Sequence, residues 1–451
     1  MKRLALLAIA ALTACAPATP EATSRALSLD ATLPAMNSFA PAAAAPPTRP
    51  NTEIAADFLD LAFRMESGRA IPALTRFEGP VTVRVTGPAT ASLVADLRVL
   101  LARLRAEAGI DIFLTGAETA NITIQAIPHA TLTRAVPRAA CFVVPRVGSW
   151  DEFRAARRTP QVDWTTLTRR DRAAIFVPAD VAPQEIRDCL HEELAQALGP
   201  LNDLYRLPDS VFNDDNIHAI LTGFDMLILR LYYAPELRNG MTRGEAAAVL
   251  PAMLARLNPG GERSAGQPIN DTSRDWIEAM ETALSGGRTP DERRNAAEYA
   301  INLGRAFGWS GTRAGFASYA YGRLQVNNDP ALAFAAFQEA ARLFRASPAT
   351  RLHEAHVSVQ MAAFALAAGD ATGTLALVDD AIPITRAAEN AALLSTLLMF
   401  RAEALDLLGR GDEAAAVRLD SLAWGRYGFG DAGAVLSRMA EIAALTPDGR
   451  S

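Results

Sequence analysis

The residues best suited to chemistry lie between positions 189 and 203. Within this stretch His191 is followed by two acidic residues, Glu192 and Glu193. A zinc-dependent hydrolytic site needs two ligands one turn apart on a helix face. It also needs an adjacent glutamate that takes a proton from the metal-bound water. His191 does not meet this requirement, because the residue one turn later is Ala195.

A frame shifted by one residue fits a known spacing better. The segment then resembles the metzincin pattern H-E-x-x-H-x-x-G-x-x-H, with its spacing kept and its histidines replaced. The resemblance implies that Glu193 is the general base and that Gly199 forms the turn after the helix. The three ligand positions are then occupied by Glu192, Gln196 and Asn202, or by Asp203 in place of Asn202.

The resemblance extends over roughly residues 75–240 at the level of layout. Residues 209–213 resemble the Met-turn of metzincins, with Phe212 where methionine belongs, and residues 221–232 are similar to the closing helix of matrixin-type metzincins. Carboxylate and amide oxygens suit calcium, magnesium or manganese better than zinc. We therefore expect no tight catalytic zinc.

Two interpretations of these positions remain open. We favour a metal-free pseudoenzyme without a cofactor, in which Glu192, Glu193 and Gln196 hydrogen-bond or face solvent in the first turn of a helix, where acidic residues are favourable. The alternative is a metallopeptidase-like hydrolase in which a divalent cation is held by non-histidine ligands. The remaining histidines form no ligand-spaced cluster; they are His129, His218, His353 and His356.

The N-terminus has the layout of a secretory signal peptide over residues 1–14. Lys2 and Arg3 precede an apolar run that is too short to span a bilayer, which needs roughly 20 residues. Residues 12–15, Leu-Thr-Ala-Cys, resemble the lipobox of bacterial lipoproteins, which implies lipidation of Cys15. Ala16 after the cysteine implies sorting to the outer membrane. The alternative is an ordinary signal that is cleaved later, with Cys15 discarded.

Composition limits what the mature chain can do. Residues 15–52 are rich in Ala and Pro and are predicted to form a disordered tether. The formal charge of -6 makes nucleic acid a poor partner. Besides Cys15, the chain has Cys141 and Cys189, which either form a disulfide in an oxidising compartment or remain free thiols.

Hydrophobic periodicity predicts that residues 53–257 form an α/β domain. Val81, Val83 and Val85 alternate with polar residues, as in a half-buried strand. Further strands are predicted at residues 121–124, 141–144 and 174–177, and a helix after residue 91 ends at Gly109. A linker is predicted over residues 258–272.

Residues 273–447 are predicted to be helical throughout. Breaks at Asp329, Asp370 and Asp412 recur after 41 and 42 residues, which indicates stacked helical hairpins. Residues 400–427 resemble a tetratricopeptide repeat, although the period is longer than the usual 34 or so residues. The alternative is a plain helical bundle.

These features, with the lipobox, resemble an uncharacterised lipoprotein family of alphaproteobacteria known by a domain of unknown function. We expect an α+β, metzincin-like domain followed by all-α repeats, on the periplasmic face of the envelope. The favoured function is that of a scaffold that contacts the membrane through its lipid and a protein partner through its repeats. The alternative function is hydrolysis with Glu193 as base.

Overall fold

The computed structural model describes residues 33–447, except residues 41, 138, 264, 265, 267 and 268. The predicted signal peptide, Cys15 and the first part of the predicted tether lie outside the described residues. No helix within the described part of the chain is long and apolar enough to cross a membrane.

A five-stranded mixed sheet forms the centre of the N-terminal domain. Its strands are β1 (Val81–Thr86), β2 (Ile112–Leu114), β3 (Ile122–Ile127), β4 (Phe142–Pro145) and β5 (Ala173–Pro178). Their order is β2-β1-β3-β5-β4, and only the edge strand β4 runs antiparallel to its neighbour. The strands predicted at residues 81–85, 121–124, 141–144 and 174–177 are thereby confirmed, whereas the short strand β2 was not predicted.

Seven helices surround this sheet. They are α1 (Asn51–Phe63), α2 (Ala91–Ala108), α3 (His129–Ala135), α4 (Trp150–Ala156), α5 (Pro183–Leu198), α6 (Gly223–Tyr232) and α7 (Arg243–Leu257). Strand β5 is buried on both faces, because Ile175 belongs to the main core with α2 and α5 while Phe176 packs among the aromatic rings of Trp150 and Phe153. This double burial explains the unbroken apolar sequence of β5.

The C-terminal region is a run of helices that pack against their neighbours in sequence. They are α8 (Arg274–Leu284), α9 (Pro290–Ala306), α10 (Thr312–Gln325), α11 (Pro330–Arg345), α12 (Arg351–Ala367), α13 (Ala371–Ala387), α14 (Ala391–Leu407), α15 (Gly411–Gly428) and α16 (Ala432–Ala443). The predicted breaks near Asp329 and Asp370 are confirmed. The third break precedes Asp412, because Gly409, with φ of 72°, separates α14 from α15. The region is therefore helical and repeat-like.

The predicted linker packs on the N-terminal domain at its first residue. Asn258 is buried and exchanges two hydrogen bonds with Asn51 at the start of α1. Asn258 Nδ2 donates to Asn51 Oδ1 at 2.9 Å, and the Asn258 carbonyl accepts from Asn51 Nδ2 at 3.0 Å. The helical region then begins where it was predicted, since the Ser273 hydroxyl caps α8.

The structure differs from the predicted disordered tether over residues 33–50. We call this segment the strap; apart from residue 41, which the structure does not describe, it has no regular secondary structure and contacts both domains. Its Phe39 ring lies 4.4 Å from that of Trp424, and the Asn37 amide donates to the Ala423 carbonyl at 3.1 Å. Arg49 forms ion pairs with Asp57 and Asp209. Composition predicted disorder because it is an average over the segment. It does not show that a few apolar and charged residues bind to a surface formed elsewhere in the chain.

The strap also explains a glycine at the start of α6. A Cβ built on Gly223 would lie 1.8 Å from the carbonyl oxygen of Ala45. Any other residue at this position would push the strap away from the helix.

The two domains are docked through polar and charged contacts. Arg187 of α5 forms a buried ion pair with Glu389, between α13 and α14. The Tyr427 hydroxyl donates to Asp96 of α2 at 2.7 Å, and Tyr205 stacks edge-on against Trp276 with 5.0 Å between ring centroids. The sheet domain and the helical domain therefore pack against each other and form a common interface.

Candidate functional site

Helix α5 carries the residues of the metzincin-like pattern, but in a different part of the helix from the one predicted. Because α5 begins at Pro183, Glu192 and Glu193 lie beyond its middle, and Glu185 is the acidic residue of its first turn. The helix dipole therefore does not explain the two glutamates, and the first-turn interpretation is wrong. His191 is buried, and its Nδ1 accepts a hydrogen bond from the Leu221 amide at 3.0 Å.

Glu193, the predicted general base, is buried against the edge of the sheet. Its side chain is 4% exposed, and Oε2 has no hydrogen-bond partner among the described residues. Burial raises the pKa of Glu193 well above its ordinary value, and the nearby carboxylates of Glu192 and Glu66 raise it further, while a hydrogen bond from the backbone of Val143 opposes them. A raised pKa favours the protonated form of a carboxyl group, and that form is a poor proton acceptor.

Glu193 belongs to a group of five carboxyl groups that we call the acidic cluster: Glu66, Glu192, Glu193, Asp203 and Asp214. Burial, followed by the charges of Glu66 and Asp214, raises the pKa of Glu192 to about 7. Burial, followed by the charges of Glu66, Glu281 and Asp215, raises the pKa of Asp214 to about 7. Burial, followed by the charges of other members of the cluster, raises the pKa of Asp203 well above its usual range. Like charges without a cationic partner favour the protonated form.

The predicted metal ligands do not form a coordination shell. Asn202 donates from Nδ2 to the carbonyl of Asp60 at 3.0 Å, so its amide is used to hold the chain after α5 against α1. Gln196 is buried. Within residues 33–447, as described, no group of three or more His, Cys, Asp or Glu side chains is arranged to hold a metal ion. Metal binding requires deprotonated ligands, so the raised pKa values of Glu192 and Glu193 weaken any metal site at these positions.

The end of α5 is fixed by a buried arginine. Arg170 donates from Nη1 to the carbonyls of Gln196 and Ala197, at 2.6 and 2.7 Å, and from Nη2 to that of Gly199. These carbonyls lie at the negative end of the helix dipole. They stabilise the positive charge of Arg170, which burial alone disfavours. Gly199 ends the helix, as predicted, and a Cβ there would lie 2.9 Å from the ring of Tyr232.

The predicted Met-turn segment is held by one carboxyl group of α6. Asp225 accepts hydrogen bonds from the Ser210 hydroxyl at 2.5 Å and the Val211 amide at 3.1 Å, and it also caps α6 through Thr222. Burial raises the pKa of Asp225 to about 7 although these hydrogen bonds oppose the rise. Phe212 is fully buried, in the core beneath α5 and α6.

Cys141 and Cys189 form a disulfide bond in the structure. Their Cα atoms are 5.9 Å apart, within the usual range for such bonds. The bond joins the residue before β4 to the middle of α5. It therefore holds the helix that carries Glu192 and Glu193 against the edge of the sheet.

A cavity of about 430 Å³ lies between α5 and the helical domain. Asp188 and Glu192 line it from α5, and Arg323, His356 and Asn390 line it from helices and loops more than a hundred residues later. Local sequence patterns gave no sign of this cavity, because its walls meet only when the two domains dock.

His218 meets two histidines of α12, His353 and His356, beside this cavity. His353 Nε2 lies 2.9 Å from Asp215 Oδ2, and the His218 ring centroid is 5.7 Å from that of His353. Burial, and then the proximity of His353, lowers the pKa of His218 to about 4 and that of His356 to about 3. The sequence has no ligand-spaced pattern of histidines and therefore did not predict that these three side chains lie close together.

Comparison with known proteins identifies the N-terminal domain. Residues 51–252 match the model of a family described as "Protein of unknown function (DUF2927)". The match includes the five strands, α5 and every member of the acidic cluster, so this part of the chain is similar to the domain of an uncharacterised family. The helical wall of the cavity lies outside the match. A search of curated proteins finds no match to the chain.

Proposed function

We propose that this protein is a non-catalytic scaffold anchored by a lipid on Cys15 at the periplasmic face of the outer membrane. In this proposal a metzincin-like pseudoenzyme domain and a tetratricopeptide-like domain act as one binding body for a protein partner. The observation that carries it is the state of Glu193. This residue is the candidate general base, yet it is buried, and burial together with the charges of Glu192 and Glu66 raises its pKa well above the ordinary value.

Docking of the two domains supports a scaffold role. The buried pair of Arg187 and Glu389 and the hydrogen bond from Gln184 to Asn390 at 3.1 Å connect α5 directly to the repeats. The helix that would carry catalytic residues in a metzincin therefore serves here as the support for the helical domain.

The surface of the helical domain supports protein binding. Six large apolar side chains of this domain are at least 40% exposed: Leu284, Tyr299, Phe307, Leu332, Leu408 and Leu419. Tyr299 lies on α9 and Phe307 directly follows that helix, about two turns further on, so the two side chains lie on one side of the helix. Exposed apolar groups of this kind are typical of interaction surfaces.

Affinity capture of the full-length protein from detergent-solubilised envelopes tests the scaffold. We expect a co-purifying protein that is lost in a Tyr299→Asp/Phe307→Asp variant and kept in a control with Phe113→Asp, an exposed residue of β2. A Cys15→Ala variant should lose lipid labelling. Unchanged capture by the α9 variant, or no captured protein at all, would contradict partner binding at this surface.

The hydrolase alternative is favoured by one observation. Glu193 Oε2 and Asp203 Oδ1 are shielded from solvent and have no hydrogen-bond partner among the described residues, as acids near a missing cation would. Elemental analysis of the purified full-length protein, with Glu192→Ala and Gln196→Ala variants, distinguishes the two functions. A stoichiometric divalent ion that both variants lose would support the hydrolase, and its absence would support the scaffold.

A further inference from the structure

The cavity between the domains has one acidic wall, formed by α5. Asp188 and Glu192 are one helical turn apart, so both carboxyl groups lie on the face of α5 that lines the cavity. Asp188 Oδ1 is shielded from bulk solvent and has no hydrogen-bond partner among the described residues. The adjacent Arg187 does not neutralise Asp188 by an ion pair, because its guanidinium is bound to Glu389.

The opposite wall is basic and comes from the helical domain. Arg323 lies over the ring of Tyr319, 5.8 Å from its centroid, and has no ion pair with any described carboxylate. A second arginine at the cavity, Arg438, is already paired with Glu441 at 3.0 Å. His356 Nε2 is also buried and without a partner in the described part of the chain.

The rest of the lining is partly polar, with Gln360 and Thr396 among its residues, and partly apolar. The apolar residues are Val211, Ala219, Val359, Ala392, Leu393 and Phe429. The volume of about 430 Å³ is within the range of small-molecule sites. A space of this size, with acids on one side, an unpaired arginine on the other and apolar groups between them, matches a small molecule with opposite charges and an apolar side chain.

We infer that this cavity binds a zwitterionic ligand of the amino-acid or short-peptide class, with its ammonium group at Asp188 and Glu192 and its carboxylate at Arg323. An ammonium group supplies a donor to Asp188 Oδ1, which has no partner among the described residues, and its charge favours the ionised form of both carboxyl groups. A ligand carboxylate accepts from the guanidinium in a charge-assisted pair. The apolar lining accommodates an aliphatic side chain. This site goes beyond the proposed scaffold function and does not depend on it.

Thermal-shift and calorimetric titrations of the detergent-solubilised full chain test the inference. The probes are leucine, the dipeptide Ala-Leu, N-acetyl-Ala-Leu, which lacks the ammonium group, and Ala-Leu amide, which lacks the carboxylate. Leucine or Ala-Leu should bind and raise the melting temperature. Either blocked dipeptide should bind at least about tenfold more weakly, as expected for the loss of a charged hydrogen bond.

Two variants assign the ends of the ligand to their walls. In the Asp188→Asn variant, N-acetylation of the dipeptide should cause little further loss of affinity. In the Arg323→Gln variant, amidation of the dipeptide should likewise cause little further loss of affinity. Arg342→Gln, which removes an exposed arginine outside this cavity, is the control and should bind as the unmodified chain does. Asp188→Asn should not lower the melting temperature of the unliganded protein, because it removes a buried acid.

Each outcome decides the inference. Binding of leucine alone, or of the dipeptide alone, supports the site and distinguishes a free amino acid from a peptide. No binding of either probe at millimolar concentration would overturn it. So would equal binding of the blocked dipeptides, or unchanged affinity in both Asp188→Asn and Arg323→Gln.

Discussion

Neutralising Glu192 should stabilise the protein at neutral pH and above. Burial and the carboxylates of Glu66 and Asp214 raise the pKa of Glu192 from 4.5 to about 7. Above pH 7 the folded protein carries a charge that its surroundings disfavour, whereas the unfolded chain carries the same charge in water. Glu192→Gln removes this charge and keeps the shape of the side chain.

The magnitude follows from proton linkage. A pKa that is raised from 4.5 to about 7 corresponds to an upper limit of roughly 3 kcal/mol, at about 1.4 kcal/mol for each tenfold change in proton affinity. Partial solvent access to Glu192 screens the charge, so we expect a stabilisation of about 1–3 kcal/mol above pH 7.

The sign depends on pH in a defined way. Below pH 4.5 both the folded and the unfolded states hold the proton on Glu192, so the variant and the parent should be equally stable. Between this pH and about 7 the unfolded state loses the proton first, and the parent loses stability as the pH rises. The advantage of Glu192→Gln should therefore grow over this interval and then remain constant.

Urea unfolding followed by circular dichroism at pH 4 and pH 8 measures this difference. Glu185→Gln is the matched control, because Glu185 is an exposed acid in the first turn of the same helix. Its neutralisation removes a favourable interaction with the helix dipole and should be destabilising by about 0.3–1 kcal/mol. Equal effects of Glu192→Gln at the two pH values, or destabilisation at pH 8, would refute the argument from buried charge.

Three further predictions concern the supports of the site. Cys189→Ser removes a disulfide that links positions 48 residues apart. In the chain-entropy description of disulfides, the free energy of unfolding should fall by roughly 4 kcal/mol. The measurement is a lower urea midpoint that reducing agent does not lower further. Arg170→Ala leaves three carbonyls without their donor and should cost about 3 kcal/mol or more, whereas Arg169→Ala, at an exposed residue, should change stability by less than about 0.5 kcal/mol. Phe39→Ala should loosen the strap, at a cost of about 1–2 kcal/mol in lost apolar burial, and speed its cleavage in limited proteolysis; an unchanged cleavage rate would show that this ring does not hold it.

Local patterns predicted much of the fold. Alternation at Val81, Val83 and Val85 identified a strand because one backbone period sets which face each side chain occupies. The helix breaks near Asp329 and Asp370 were visible because Gly369, with φ of 76°, and the capping aspartates act on their immediate neighbours. In these cases the sequence signal and its structural cause lie within a few residues of each other.

The candidate site was predicted only in part. The spacing of Glu193 and Gly199 correctly placed them on one helix and at its end, but it said nothing about how deeply the helix is buried. The pKa of Glu193 is raised by burial and by the charges of Glu192 and Glu66, and burial and the approach of Glu66 both arise from tertiary packing. One wall of the cavity contains Arg323, which belongs to a separate domain. Local hydrophobic periodicity cannot predict which residues of two domains come together.

The strap has a consequence for the order in which the protein is built. Asn37 bonds to Asp420, 383 positions later, and Arg426 donates to the carbonyl of Pro34 across 392 positions. Synthesis delivers residues 33–50 first and their binding surface on α15 almost last. Until then, the strap has no complete site to occupy, and closing so large a loop costs conformational entropy. Attachment of the strap therefore reports that nearly the whole chain has been made and that α15 is in place.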